Sequence, residues 1–552
     1  MLPFLFTWLR ETMKLSTVRL SPHGFAATAC LFFLLAGQAF IPRLGVQNDE
    51  AFFGFAFLQP RAAVVIRLIG HAGLPIMLMS YLGALKAWVY RPIFAVFGTG
   101  VWSLREPVLL AGVASVWLFY LLLRRIAGAR AALIGCGLLA VDSMYLLTIC
   151  FDWGPVAFQH LLLVGGMLLL MQFYQQGGWR PLAGGFFLLG LAMWDKALAV
   201  WMLGGIGVAG WTVFPAQIWR VTTFRRIAIS ALAFVLGALP LIIYNAQNDM
   251  ATFRGQTYDA RQIPIKARML MMTAEGVGLF GWMVNEDGQT AEPHAPATVL
   301  EKASLALSTA AGHPRENLLL YAFVLALLLT PLCRGGELRA ILFALIAMTI
   351  QWVQMAITVN AGGSVHHTIL LWPLPMMVIA VSFAAASRRL GRAGLPAAAA
   401  VLAAMLAAGG LQINEYYRMA WRNGGAQNWS DAIFGLSDYL DGVHARQIYS
   451  ADWGITDSLR VLNRGRLPLN NIYDAIPRDQ SNPDLGRILN AVSQPDHVFL
   501  AHVPGSEFFQ GTDAKLVQAA QDAGYRREML ALISDSYGRP FYEVYHFQGK
   551  AE

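Results

Sequence analysis

The chain has 552 residues, of which 56% are hydrophobic and only 13% charged. Soluble domains carry about 25% charged residues, so this composition excludes an ordinary soluble protein and points to a chain dissolved mainly in lipid. The formal net charge of +8 sits in short basic clusters between apolar runs. Clusters of that kind set membrane topology and give no case for a nucleic-acid partner.

Residues 1–23 read as a cytoplasmic flank with Arg10, Lys14 and Arg19, followed by a first span over 24–41. No small-residue cleavage site follows that run, so it is expected to stay as a helix. Residues 42–107 are expected to form a long outer loop with one or two helices lying at the interface. Further apolar runs over 108–123, 131–149, 155–173, 182–194, 197–214, 227–244, 318–332, 340–359, 368–386 and 395–411 bring the expected total to about eleven spans. The turns that would be inner hold Arg124, Arg125 and Arg130, then Arg180, then Arg220, Arg225 and Arg226, then Arg334 and Arg339, then Arg388, Arg389 and Arg392. All five are basic, with Glu337 the only acid among them, which is the excess of Lys and Arg that the positive-inside rule expects of cytoplasmic loops.

The outer turns carry the acid–base chemistry. They hold Asp49 and Glu50, the segment Cys150-Phe-Asp-Trp-Gly-Pro155, Asp195 with Lys196, a second long loop over 245–317, and His366 with His367. From residue 412 the chain turns polar, and 412–552 is expected to be a small extracytoplasmic α/β domain. Strands are expected at 447–451, 497–502 and 541–547, and helices at 430–440 and 513–523. The four cysteines lie in or beside apolar runs and suggest no disulfide framework.

A carboxylate at the edge of hydrocarbon is either a solvated stop signal or part of a site. Asp49 could serve as a general base if partly desolvated. Its neighbour Glu50 cannot share its face on a helix, so one of the two would be structural. Asp152 starts a helix with Pro155 just inside it, which fits a cap as well as a second catalytic carboxylate. Asp142 lies inside an apolar run, a functional hint by default. Lys86, Arg105 and Lys196 are either snorkelling side chains or the cations a phosphate leaving group needs. His366 and His367 could hold a phosphate or a metal, though the spacing of zinc-type ligands is missing.

Taken in order, these features resemble the GT-C membrane glycosyltransferases of the protein O-mannosyltransferase and aminoarabinose-transferase type, over residues 24–415. The resemblance rests on Asp49-Glu50 after the first span and on Phe97-Gly-Thr-Gly-Val-Trp-Ser-Leu-Arg105. It rests also on Asp152, on Gly190-Leu-Ala with Lys196, and on His366-His367 before Leu371-Trp-Pro-Leu-Pro375. It implies a GT-C-like polytopic helical fold and an inverting transfer on the outer face of the inner (plasma) membrane. The donor would be a polyprenyl-phosphate sugar, and the acceptor a glycan, a lipid or a protein. By the same resemblance Asp49 is the base, with Glu50 and Asp152 as further acids. Lys86, Arg105, Lys196, His366 and His367 would contact the donor phosphate. The family's usual His/Lys-Pro-Pro-Leu segment is replaced here by Tyr81-Leu-Gly-Ala-Leu-Lys86. Some relatives hold a divalent metal near this site, and no other cofactor is implied. A transporter of a polar or amphiphilic solute is the rival reading, but such proteins place polar groups at mid-membrane in matched halves.

Overall fold

A computed structural model describes residues 21–58, 64–67, 73–476 and 483–549. The basic residues Arg10, Lys14 and Arg19 therefore lie outside the described residues. The first span is helix α1 (Pro22–Phe40), whose cap Ser21 accepts the Gly24 amide, with proline in the first turn where its missing N–H costs nothing. A short helix α2 (Asn48–Phe52) follows. The expected outer loop then holds an antiparallel pair, β1 (Val64–Arg67) and β2 (Gly73–Met77), and helix α3 (Leu85–Phe97).

Helix α4 (Val101–Ala140) begins earlier than the apolar run and reverses at Gly128, whose φ of +83° suits glycine. The reversal brings Gly135 against Leu123 and Phe119. The third apolar run is not one helix. It breaks before Asp142, whose carboxylate accepts the Tyr145 amide at 2.8 Å and caps α5 (Ser143–Cys150) while also accepting the Trp372 indole N–H at 3.1 Å. That buried acid is thus a cap, and needs no catalytic role.

The bundle continues with α6 (Val156–Gln176), α7 (Trp179–Asp195), α8 (Ala199–Val213), α9 (Pro215–Val221) and α10 (Phe224–Gln247). After α11 (Ile263–Glu275) and α12 (Val299–Ala310) come α13 (Leu319–Leu329), α14 (Gly336–Ile357), α15 (Val365–Thr368) and α16 (Leu374–Arg389). Among the described residues, seven helical segments are long and apolar enough to cross a membrane, or eight if the bent pair α8–α9 is one span. Several of the expected spans are helices too short or too broken to meet that measure, such as α7 and α13, because apolar composition does not show where a helix stops.

The two ends of the bundle differ in chemistry. At one end Arg125 donates to Gln175 at 3.3 Å, Arg130 to Ser387 at 3.3 Å, and Arg388 and Arg389 pair with Glu337 at 2.5 and 2.6 Å. These are the basic turns, gathered on one side. The acids, lysines and histidines of the other turns gather at the opposite end, described below.

The last apolar helix, α17 (Gly391–Asn423), runs past 411. Its extra turns read as polar tail in the sequence, yet they are buried. Arg418 there bonds Glu415 at 2.8 Å and Asp287 of the long loop at 2.7 Å. The folded tail then begins at α18 (Ala432–Asp441). Its sheet runs β4 (Leu469–Asn471), β3 (Gln447–Ser450), β5 (His497–His502), β7 (Pro540–Gln548), β6 (Arg526–Ser534). The β3–β4 and β3–β5 pairs are parallel, and β5–β7 and β7–β6 are antiparallel. Strand β5 is buried throughout because both faces are covered. Val498 and Leu500 pack with α18 and α19 (Thr456–Leu462), while Phe499 and Ala501 pack with α20 (Leu485–Val492) and α21 (Thr512–Asp522).

Candidate active site

The site is built on the turn after α1. Gln47 caps α2 with its side-chain oxygen, accepting the Asp49 amide at 2.6 Å and the Glu50 amide at 3.3 Å. On so short a helix the neighbouring acids take different directions. Glu50 is buried and meets Arg105 in a two-pronged pair, at 2.6 Å from Nε and 2.9 Å from Nη2. Arg105 also donates to the carbonyls of Ile41 (2.5 Å), Leu44 (3.0 Å) and Gly45 (2.8 Å). Its guanidinium donors are all engaged, and the side chain is fully buried. Two expectations need correction here. Arg105 holds the α1–α2 turn with no donor left for a phosphate, and Glu50 is its counter-ion with no oxygen free for substrate chemistry.

Asp49 is different, being only partly buried. Burial raises its carboxyl above the usual carboxylate range, and Lys196 and a hydrogen bond from Trp153 oppose that rise. Asp457, from α19 of the C-terminal domain, adds to it. Helix α19 is docked on α2, with the Asp457 amide donating to the Asn48 side chain at 3.2 Å. Asp457 itself pairs with Arg460 at 2.6 Å. The tail domain therefore reaches the turn that bears Asp49.

Asp152 lies in a turn with φ of +40°, a region aspartate tolerates better than most residues. One oxygen accepts the Ala157 amide at 3.2 Å near the start of α6, and the other pairs with Lys86. Both partners of that pair are fully buried. Asp152 is thus a cap and an anchor for Lys86, rather than a free second carboxylate. Lys86 also lies 3.6 Å from the Phe53 ring centroid, a cation–π contact that helps to hold a buried ammonium.

The first loop is pinned to the end of α7. Gly83 donates to the Asp195 carbonyl at 3.1 Å, and Ala197 donates to the Tyr81 carbonyl at 2.9 Å. A Cβ at Gly83 would fall 1.9 Å from the Trp194 carbonyl oxygen, so only glycine permits this approach. The pairing sets Lys86 and Lys196 in one region. Lys196 donates to the Gly154 carbonyl at 3.1 Å, and burial pulls its amine down to about 8 against the nearby Asp49 and Asp195. Asp195, outside the expected site, accepts from Gln159 at 3.0 Å.

His366 and His367 pack with their rings tilted, centroids 4.1 Å apart, and both ring Nδ1 atoms lie near the Ser364 hydroxyl, at 3.0 and 3.1 Å. His366 packs on Trp153 at 4.4 Å and against Gly154. Asp49, Asp152, Lys86, Lys196 and the histidine pair thus meet around the Asp152–Gly154 turn. Arg105 and Glu50 stand behind it as support. Among the described residues no three or more His, Cys, Asp or Glu side chains are grouped to hold a metal ion. The histidines lie against Trp153 and Ser364, and Asp152 is engaged by Lys86.

Sequence reading missed Trp153 and Asp457. The Trp153 signal was present, since it sits beside Asp152, but a tryptophan near a membrane interface is ordinarily an anchor. Asp457 gave no signal at all, because its place depends on how the tail domain docks.

Comparison with known proteins finds a likeness in sequence over part of the chain and in fold over nearly all of it. Residues 83–244 match the model of the dolichyl-phosphate-mannose-protein mannosyltransferase family. That stretch begins after Asp49 and Glu50 and ends before the tail domain. No curated protein matches the sequence significantly. Among solved structures, the fold is similar to that of ArnT from Cupriavidus metallidurans bound to undecaprenyl phosphate. The TM-score is 0.55 and the identity 15%, covering 94% of this chain and 97% of that one. The apo form of the same protein gives a TM-score of 0.54 at 14% identity, again covering 94% and 97%. The fold is thus like that of ArnT over nearly the whole chain, and residues 83–244 are similar in sequence to the mannosyltransferase family model.

Proposed function

We propose that the chain transfers a sugar from a polyprenyl-phosphate donor to a hydroxyl or amine acceptor at the acidic end of its bundle, in one inverting step, with Asp49 as general base. The observation that carries this reading is the placement of a partly exposed, desolvated carboxylate beside Lys196, with Lys86 held close by through Asp152. The similar ArnT structure is bound to undecaprenyl phosphate, the lipid phosphate such a donor would leave behind, and the match to a dolichyl-phosphate-mannose family model agrees with a lipid-phosphate donor here.

In the step, Asp49 takes the proton of the acceptor as its oxygen or nitrogen forms the bond to the anomeric carbon. The bond from that carbon to the phosphate oxygen breaks, and its electron pair leaves with the lipid phosphate. Lys196 and Lys86 stabilise the charge that grows there, in a water-poor site where such contacts act strongly. Asp152 positions Lys86. His366 lies against Trp153 and Gly154, and with His367 it would contact the donor headgroup. The basic turns at the other end of the bundle support a cytoplasmic placement for that end, which would put the site and the tail domain outside the inner membrane.

The test uses purified chain in proteoliposomes with a panel of polyprenyl-phosphate sugars and mass analysis of the lipid. The expected result is free polyprenyl phosphate formed from at least one donor. Uptake of a labelled polar solute with no lipid phosphate formed would favour the transporter instead.

The proton chemistry also has a pH signature. The base must be ionised, so kcat/KM rises as pH passes the Asp49 value, which lies above the usual carboxylate range. Both cations must be protonated, so the rate falls on the alkaline side, where burial has drawn Lys86 down to about 7 and Lys196 to about 8. Asp457 raises the Asp49 value, so Asp457→Asn is expected to move the acidic limb to lower pH. Lys196 lowers it, so Lys196→Met moves that limb to higher pH and weakens the rate. An acidic limb that stays in place in Asp457→Asn would separate the tail domain from the base.

A further inference from the structure

A polar cavity of about 500 Å³ lies between the membrane bundle and the tail domain. That is within the range of small-molecule sites, roughly 300–1,000 Å³. One wall is Trp282 of the long loop with Gln427 and Asn428 beyond α17, and the other is Glu507 and Phe508 between β5 and α21. The two aromatic side chains face it from different domains, and each is partly open, Trp282 at 39% and Phe508 at 48% exposure.

The cavity is preformed on both sides. Asp452 accepts the Phe508 amide at 2.7 Å, the Phe509 amide at 2.9 Å and the His502 ring N–H at 2.7 Å. That fixes the 505–510 loop. Trp282 stacks on Trp153 with centroids 5.9 Å apart and planes 28° from parallel, and Trp153 hydrogen-bonds Asp49. One pair of stacked indoles therefore separates the cavity from the proposed base.

Its chemistry selects a ligand class. The arginine lining it, Arg539, is paired with Asp535 at 2.5 Å and donates to the Gly425 carbonyl at 3.3 Å. Glu507 is acidic. Among the described residues no free positive charge lines the cavity to attract a phosphate, and amide side chains with aromatic faces are poor company for an acyl chain. Amide donors and acceptors beside flat apolar rings suit a neutral polyhydroxylated molecule, whose hydroxyls need partners and whose C–H faces need stacking. A peptide would instead call for an exposed strand edge or an apolar groove.

We infer that this interdomain cavity binds the acceptor, and that the acceptor presents a neutral saccharide to it. The inference rests on the glycosyltransferase reading and explains what the tail domain does: it supplies half of the acceptor site. A sugar lying between Trp282 and Phe508 would direct a hydroxyl past Trp153 toward Asp49.

The experiment measures equilibrium binding, independent of transfer. Full-length protein in nanodiscs is titrated with mannotriose, maltotriose, chitotriose and a Ser/Thr-rich peptide, following tryptophan fluorescence. At least one trisaccharide is expected to give a saturable change through Trp282. Phe508→Ala is expected to weaken that binding about tenfold or more, and Phe508→Tyr to restore it, as removing or keeping an aromatic platform would. The thermal unfolding midpoint of each variant shows that it is folded. Absence of saturable binding by any trisaccharide to the wild-type protein, or equal affinity in Phe508→Ala, overturns the inference. A response to the peptide alone overturns the saccharide assignment. Failure of lipid-phosphate release, measured separately, bears on the transferase reading and leaves these binding results to stand by themselves.

Discussion

Arg105→Met is expected to cost roughly 3–5 kcal/mol of stability, the range for breaking a buried ion pair by removing one partner. The substitution would leave Glu50 buried and uncompensated and would release the carbonyls of Ile41, Leu44 and Gly45. Lysine should not rescue it, because one ammonium cannot replace a planar fork that grips a carboxylate and three carbonyls. The double variant Arg105→Met with Glu50→Gln should recover part of the loss, since it removes the stranded charge as well. Thermal unfolding in detergent reads all three. If Arg105→Met instead melts like wild type and loses only donor affinity, Arg105 contacts the phosphate and its assignment as a structural residue is wrong.

The second large effect concerns Asp49. Asp49→Asn keeps the size and most of the hydrogen bonding of the side chain but removes the proton acceptor. Transfer is expected to fall about 10²–10⁴-fold, the usual contribution of a positioned general base. Donor binding should change little, because the lysines and the Asp152 turn remain. The fall should therefore appear in kcat, with the donor KM close to wild type. Glu50→Gln offers the contrast. Its effect should appear first as lost stability, because Glu50 serves Arg105. Equal kinetic defects in the two variants, with both fully folded, would mean that the carboxylates share the chemistry.

The sequence made the helical membrane architecture and the gathering of acids and bases on one side legible, through hydropathy and the placement of arginines. It made the division between Asp49 and Glu50 legible too, because adjacent helical residues cannot share a face. The roles of Arg105 and Asp152 were not legible. Arg105 is satisfied by carbonyls of a turn whose shape no local pattern announces. Asp152 could be read as a cap, yet its pairing with Lys86 depends on Gly83 docking the first loop on the end of α7. Asp142 looked functional because a buried acid in an apolar run ordinarily is; here a helix break gives it an amide and an indole to accept from. The end of α17 was misplaced because Glu415 and Arg418 read as solvated, whereas they neutralise one another inside the protein. In the tail, strands β5 and β7 stood out by their apolar runs. Strand β6 did not, since much of it is exposed and its alternation is weak.

The most direct measurement counts molecules. Purified wild-type chain and Asp49→Asn are incubated side by side with an active polyprenyl-phosphate sugar and its acceptor, and glycosylated product and free polyprenyl phosphate are quantified by mass. The account expects wild type to yield the two in equal numbers and Asp49→Asn to yield almost neither while still binding the donor. Equal yields from both proteins, or product formed without release of lipid phosphate, would contradict it.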